Sequence, residues 1–195
     1  MDLGLVGQAA GLFAVTNLDD LVILALFFAR TSGRPGSAAR IVAGQYLGFA
    51  AILAFAVAAA FGAALLPHAL LPYLGLLPLA LGLKAAWQAW RERGNSEEST
   101  VEDGVAGPLA VAAVTFANGG DNIGVYVPVF ATAGTGAMTG YVLVFLALVA
   151  VWCAAGRFLA TRPFVARTLA RWGHVVLPVV LVGLGLLILV EGGVL

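Results

Sequence analysis

The sequence predicts an all-α integral membrane protein of six transmembrane helices, arranged as two inverted three-helix repeats with broken first and fourth helices. Three observations lead there. The 195-residue chain is 62% hydrophobic and 10% charged, with a mean hydropathy of +1.01, whereas a soluble domain carries about 25% charged residues. Its apolar residues fall into six runs long enough to cross a bilayer. Similar polar motifs also recur at matching places in the two halves of the chain.

The first span covers roughly 3–29. Asp2 precedes it, with no Lys or Arg, and its apolar run is too long for a signal-peptide core, so it is read as a retained helix. Arg30, Arg34 and Arg40 flank the first loop. The second and third spans lie at about 40–66 and 69–90, and Lys84, Arg91 and Arg93 precede the third connection. Trp87, Trp90 and Trp172 fall near predicted cytoplasmic boundaries, as interfacial aromatics do, and Lys84 is read as a snorkelling side chain. A polar stretch from Gly94 to Gly107, with Glu97, Glu98, Glu102 and Asp103, reads as a solvated connector. The expected organisation is therefore a first repeat at 1–93, an acidic cytoplasmic linker at 94–107 and a second repeat at 108–195. The last three spans lie at about 106–132, 139–160 and 174–191.

All 10 Lys and Arg residues fall at odd-numbered connections, the last group being Arg157, Arg162, Arg167 and Arg171. The positive-inside rule then places those loops in the cytoplasm and both termini outside it. Three spans per half is an odd number, so the second half must be inverted relative to the first. The repeat shows in Asp19-Asp20-Leu21-Val22-Ile23 against Asp121-Asn122-Ile123-Gly124-Val125. It shows again in Pro78-Leu79-Ala80-Leu81-Gly82-Leu83 against Pro178-Val179-Val180-Leu181-Val182-Gly183-Leu184. Inverted repeats with interrupted helices that meet at a midplane site are the architecture of many secondary transporters.

Function is expected where the sequence places charge in an apolar setting. Asp19 and Asp20 sit in Thr16-Asn17-Leu18-Asp19-Asp20, and Asp121 in Thr115-Phe116-Ala117-Asn118-Gly119-Gly120-Asp121-Asn122. A charged side chain at mid-bilayer costs roughly 3 kcal/mol on insertion scales, and such residues mark ion pathways. Asp19 is eleven residues from Arg30 and Asp121 thirteen from Gly134, about 16 and 20 Å along a helix, near the middle of a bilayer about 30 Å thick. Gly119 and Gly120 allow the fourth helix to unwind there. Helical spacing gathers Thr16, Asn17, Asp19 and Asp20 on one side, and Thr115, Asn118, Asp121 and Asn122 on the other.

With no Lys or Arg close by in sequence, a cation or protons should balance these carboxylates. The expected metal ligands are Asp19, Asp20, Asp121, Asn17, Asn118 and Asn122. Thr16, Thr115, Gly119 and Gly120 support them, and Gln45 and Tyr46 lie where they line a cytoplasmic entrance or pack. Carboxylate, amide and hydroxyl oxygens suit hard cations such as Mn²⁺, Ca²⁺ or Mg²⁺.

Other features are read more simply. His68 and His174 lie at membrane surfaces. Cys153 reads as a small buried hydrophobe, with a part in a soft-metal path left open. The Gly7/Gly11, Gly44/Gly48 and Gly120/Gly124 pairs have the spacing of close helix packing. Zero net charge gives no reason to expect nucleic acid, and one cysteine excludes an intrachain disulfide or a zinc-thiolate cluster. The only lysine is in Leu81-Gly82-Leu83-Lys84-Ala85, so the chain has no P-loop, and any pumping must draw on an ion gradient or a partner. A passive cation channel and an aspartate-dependent intramembrane enzyme remain as alternatives. The stretch Asn118-Gly119-Gly120-Asp121 approaches the GxGD pattern of intramembrane proteases but lacks its first glycine.

The motifs resemble the cadmium-resistance (CadD-type) transporter family of the lysine-exporter superfamily. The matching stretches are Thr16–Asp20, Gly44-Gln45-Tyr46-Leu47-Gly48, Pro78–Lys84, Asn118–Tyr126 and Trp152-Cys153, in the family's order. The resemblance implies a six-helix inner-membrane exporter of divalent cations, with Cd²⁺ the namesake substrate and no resident cofactor. It also implies that Asp19, Asp20 and Asp121, with their Asn neighbours, are the functional positions. Related branches move manganese, calcium, nickel or amino acids. Protons are the expected coupling ion. The expected partners are the lipid bilayer and the metal ion, with a homo-oligomer left open.

Overall fold

The computed structural model describes residues 3–31, 34–63, 65–91, 107–162 and 178–194. The linker expected at 94–107, and Arg93, Arg167, Arg171, Trp172 and His174, lie outside these residues, Gly107 excepted. The described residues are helical, without strands. The helices are α1 (Leu3–Thr16), α2 (Leu18–Arg30), α3 (Ser37–Ala63), a 3₁₀ helix (His68–Gly75) leading into α4 (Leu76–Arg91), α5 (Pro108–Asn118), α6 (Gly120–Leu159) and α7 (Pro178–Glu191). Three stretches are long and apolar enough to cross a membrane: Ser37–Ala63, Leu70–Trp87 and Gly120–Leu159. A fourth is added if α1 and α2, bent by 61° at their junction, count as one.

Local chemistry sets the breaks. At the α1–α2 junction, Thr16 Oγ1 donates to the Leu12 carbonyl at 2.9 Å and Asn17 Nδ2 to the Phe13 carbonyl at 2.8 Å. Short polar side chains thereby compete with backbone N–H groups for helical carbonyls, which favours bends. The α5–α6 junction is Gly119, where α3 comes so close that a Cβ would collide with Ile52 Cδ1.

Within α6, Gly134 leaves helical geometry at φ 75°, ψ 162°, a conformation open chiefly to glycine. The chain reverses there. The rings of Tyr126 and Phe145 lie 4.8 Å apart, and those of Phe130 and Tyr141 6.2 Å apart. A straight helix would separate nineteen residues by roughly 28 Å. The element thus has two limbs, 120–133 and 135–159, where the sequence suggested a loop from 133 to 138. The sequence also suggested a helix from 69, but the chain opens with a 3₁₀ helix containing Pro72, which lacks the N–H that a regular α-helix would use.

Helices from before and after the linker pack in an exchanged manner. Gly44 of α3 faces Pro108 and Val111 of α5, and Gly48 faces Ala112 and Thr115. Both numbers rise together, so α3 and α5 run parallel. The second limb of α6 runs parallel to α1 and α2 in the same way: Gly140 faces Leu5 and Gly156 faces Leu24. By contrast, the 3₁₀ helix and α4 run antiparallel to α7, with Gly75 against Gly185 and Ile188, and Gly82 against Leu181 and Val182. Small residues at these seams let backbones approach closely, as apolar surroundings favour. The centre is an aromatic column in which Phe13 meets Phe49 at 5.4 Å and Trp152 at 5.1 Å, continuing through Phe145 and Tyr126. Phe55, Phe61, Leu143, Val151, Phe158 and Leu187 face outward, exposed, an arrangement suited to hydrocarbon rather than water. Trp87 and Trp90 are exposed and meet edge-on at 5.7 Å.

Candidate cation site at the helix breaks

The two breaks bring the polar motifs together. Asn118, the last residue of α5, donates from Nδ2 to Asp19 Oδ2 at 2.8 Å and to Asp20 Oδ1 at 2.9 Å. One amide from α5 therefore touches both carboxylates of α2. Asp20 is buried, Asp19 exposed and Asp121 half-buried. Asp20 also accepts from Gln45 Nε2 at 3.1 Å, and Gln45 Oε1 accepts from Thr115 Oγ1 at 2.7 Å. Gln45, expected to line an entrance or to pack, is 4% exposed and bonded to a site carboxylate. Tyr46 donates to the Leu146 carbonyl at 3.0 Å, joining α3 to the second limb of α6.

Asp121 begins α6 and accepts from the Asn122 backbone N–H at 2.9 Å. Behind it lies a buried amide network. Asn122 Nδ2 donates to Asn17 Oδ1 at 3.1 Å, and Asn17 Nδ2 lies 2.9 Å from the Tyr126 hydroxyl, which also meets Thr16 Oγ1 at 3.0 Å. The Phe13 carbonyl can only accept, so the nitrogen of Asn17 must face it. The oxygen of Asn17 then faces Asn122, and Asn122 Oδ1 points elsewhere. That oxygen is buried without a hydrogen-bond partner among the described residues. An unsatisfied buried acceptor costs about 1–3 kcal/mol. It is a neutral oxygen with free lone pairs on the residue that follows Asp121.

Sequence reasoning gave no role to Tyr126 or Trp152, though both lie in the quoted motifs. Trp152 Nε1 donates to the Asn17 carbonyl at 2.7 Å, so the second limb of α6 clasps the α1–α2 break. The available signals were a tyrosine four residues after Asn122, hence on its face, and a tryptophan within a span, where its N–H needs a partner. Gly119 is buried against Ile52, whereas a Cβ at Gly120 would meet nothing within 4 Å. Cys153 is buried in the core, as expected. Among the described residues, no three His, Cys, Asp or Glu side chains group as a metal cluster.

An apolar helical bundle that keeps carboxylates at paired helix breaks has the build of a membrane transport protein. The chain belongs to the cadmium resistance transporter family, whose model matches residues 13–195 and so includes every residue of this site. It is an integral membrane protein of a transporter family rather than of a family of enzymes. No curated protein and no solved structure matches it significantly.

Proposed function

We propose that the protein is a secondary active exporter of divalent metal cations, Cd²⁺ among them, which exchanges each ion for protons at a site built from Asp19, Asp20 and Asp121 with Asn17, Asn118 and Asn122. The observation that carries this reading is the Asn118 amide held between the carboxylates of Asp19 and Asp20. Those carboxylates face a common point, where a cation would displace the neutral amide and supply the charge balance it cannot. Asn122 Oδ1 offers a further oxygen. Asp19 and Asp20 share Asn118, while the three aspartates do not group as a metal cluster among the described residues, a loose cage that suits an ion that must also be released.

The arrangement proposed for the whole chain is six spans in two inverted halves, with both termini extracytoplasmic. The reversal at Gly134, the paired breaks at Asn17 and Gly119, and the exchanged packing of α3 on α5 and of α6 on α1–α2 support it. Exporting a divalent cation against an inside-negative potential costs about 4.6 kcal/mol per 100 mV, from roughly 2.3 per charge. Exchange for two protons makes the cycle electroneutral. Adjacent carboxylates suit it, because metal departure leaves like charges that favour protonation.

The test is flux in proteoliposomes with a metal panel (Cd²⁺, Zn²⁺, Mn²⁺, Ca²⁺) and a trapped pH dye. Metal movement should drive opposite proton movement, and apparent metal affinity should fall as pH falls, since protons and metal compete for the same oxygens. Metal flux without proton movement, unaffected by collapsing the pH gradient, would identify a channel or another coupling ion.

A further inference from the structure

Gln45 and Thr115 stand outside the acidic cluster yet are as buried as its core, at 4% and 1% exposure. Their bonds form one directed chain across three helices: Thr115 Oγ1 of α5 to Gln45 Oε1 of α3, and Gln45 Nε2 to Asp20 Oδ2 of α2. We propose that Thr115 and Gln45 are positioning residues for cation binding, holding Asp20 in the orientation that receives the transported ion. The inference rests on the reading of Asp20 as a cation ligand.

Direction matters in this chain. The two ends of a Gln amide have nearly the same shape, so something must decide which faces the carboxylate. An ionised Asp20 does so, since it can only accept and so takes Nε2, and the Thr115 hydroxyl then anchors the amide by donating to Oε1. A reversed amide would set its oxygen against the carboxylate and leave Asp20 to swing. Gly48 makes the bond between Thr115 and Gln45 geometrically available. A Cβ there would lie 2.7 Å from the Ala112 carbonyl oxygen and 2.8 Å from Thr115 Cβ, so only glycine lets α3 and α5 approach this closely. Asn118 holds the other Asp20 oxygen from the same helix as Thr115. Helix α5 thus fixes Asp20 twice, once directly and once through Gln45.

The test measures Cd²⁺ flux in proteoliposomes at fixed pH for Thr115→Val, Thr115→Ser, Gln45→Leu and the Thr115→Val/Gln45→Leu pair. Thr115→Val keeps the side-chain shape and removes the hydroxyl. It should raise KM about tenfold, the scale of leaving one buried amide oxygen without its hydrogen bond, with the maximal rate little changed. Thr115→Ser should restore the wild-type KM. The double variant should be no worse than Gln45→Leu alone, because both act through one chain. A wild-type KM in Thr115→Val, or effects that multiply in the double variant, would overturn the proposal. If Gln45→Leu fails to insert, the Val and Ser pair at Thr115 decides the matter. Asp20→Asn separates the two levels: wild-type transport in that variant removes the site reading itself. Loss in Asp20→Asn beside a wild-type KM in Thr115→Val overturns the positioning chain alone.

Discussion

Asp19 and Asp20 are neighbours in sequence but not in circumstance. Asp20 is buried between Gln45 and Asn118, whereas Asp19 is exposed and shares Asn118 from its other side. A buried carboxylate held by two N–H donors is geometrically fixed, and an exposed one is accessible to an arriving ion. Asp19→Asn, Asp20→Asn and Asp121→Asn each remove a charge at nearly constant volume. Each should lower Cd²⁺ export about tenfold or more while the protein still inserts. Glu97→Gln and Glu98→Gln, in the linker that the sequence reads as a solvated connector, should leave export within about twofold, since charges in water are screened. Crippling linker variants beside harmless aspartate variants would displace the site from the helix breaks. The acidic residues were legible in the sequence because charge in an apolar run has few structural explanations. Tyr126 and Trp152 were not, because an aromatic in a span reads as packing until its hydroxyl or N–H is seen to reach a partner.

The helices owe their arrangement to residues that are small rather than large. Gly44, Gly48 and Gly119 sit where α3 meets α5 and the start of α6, with no room for a Cβ, while Gly7 and Gly11 of α1 have nothing within 4 Å. All but Gly119 belong to pairs with the same spacing, which the sequence could not distinguish; only the partner helix does. Gly48→Ala should therefore destabilise the protein by about 1–3 kcal/mol, the usual cost of overpacking, and impair transport by displacing Thr115. Gly11→Ala should be silent or slightly stabilising. Thermal unfolding of the two variants in detergent compares them directly, and equal midpoints would count against the α3–α5 contact. The interruptions were partly legible. Gly119 and Gly120 announced the break in the fourth span, and a broken first span was expected without a residue assigned to the break. The 61° bend at Asn17 was not legible, because it depends on side-chain bonds to the carbonyls of Leu12 and Phe13 and on a clasp from Trp152.

For the molecule as a whole, the proposed six-span arrangement puts all basic residues at odd-numbered connections and so predicts both termini outside the cytoplasm. A cysteine introduced at position 2 or 195, in a Cys153→Ser background, should react with an impermeant thiol reagent in intact cells. Labelling that appears only after lysis would reverse the orientation. The sequence conveyed the helical class and the apolar runs well, since periodicity and hydropathy are local properties. It conveyed the association of helices poorly, since which span lies beside which is settled by contacts between distant residues.

The exchanged packing also constrains how the protein can be made. Gly44 and Gly48 find their close contacts on α5, and the α1–α2 break is clasped by Trp152, so neither part is complete without residues synthesised after the linker. Until α5 and α6 leave the ribosome, Asp20 and Gln45 have only each other, and the groove along α3 faces lipid. Between the synthesis of α3 and that of α5, the first part therefore waits with its polar pair unfinished for the time that translation takes to deliver the second.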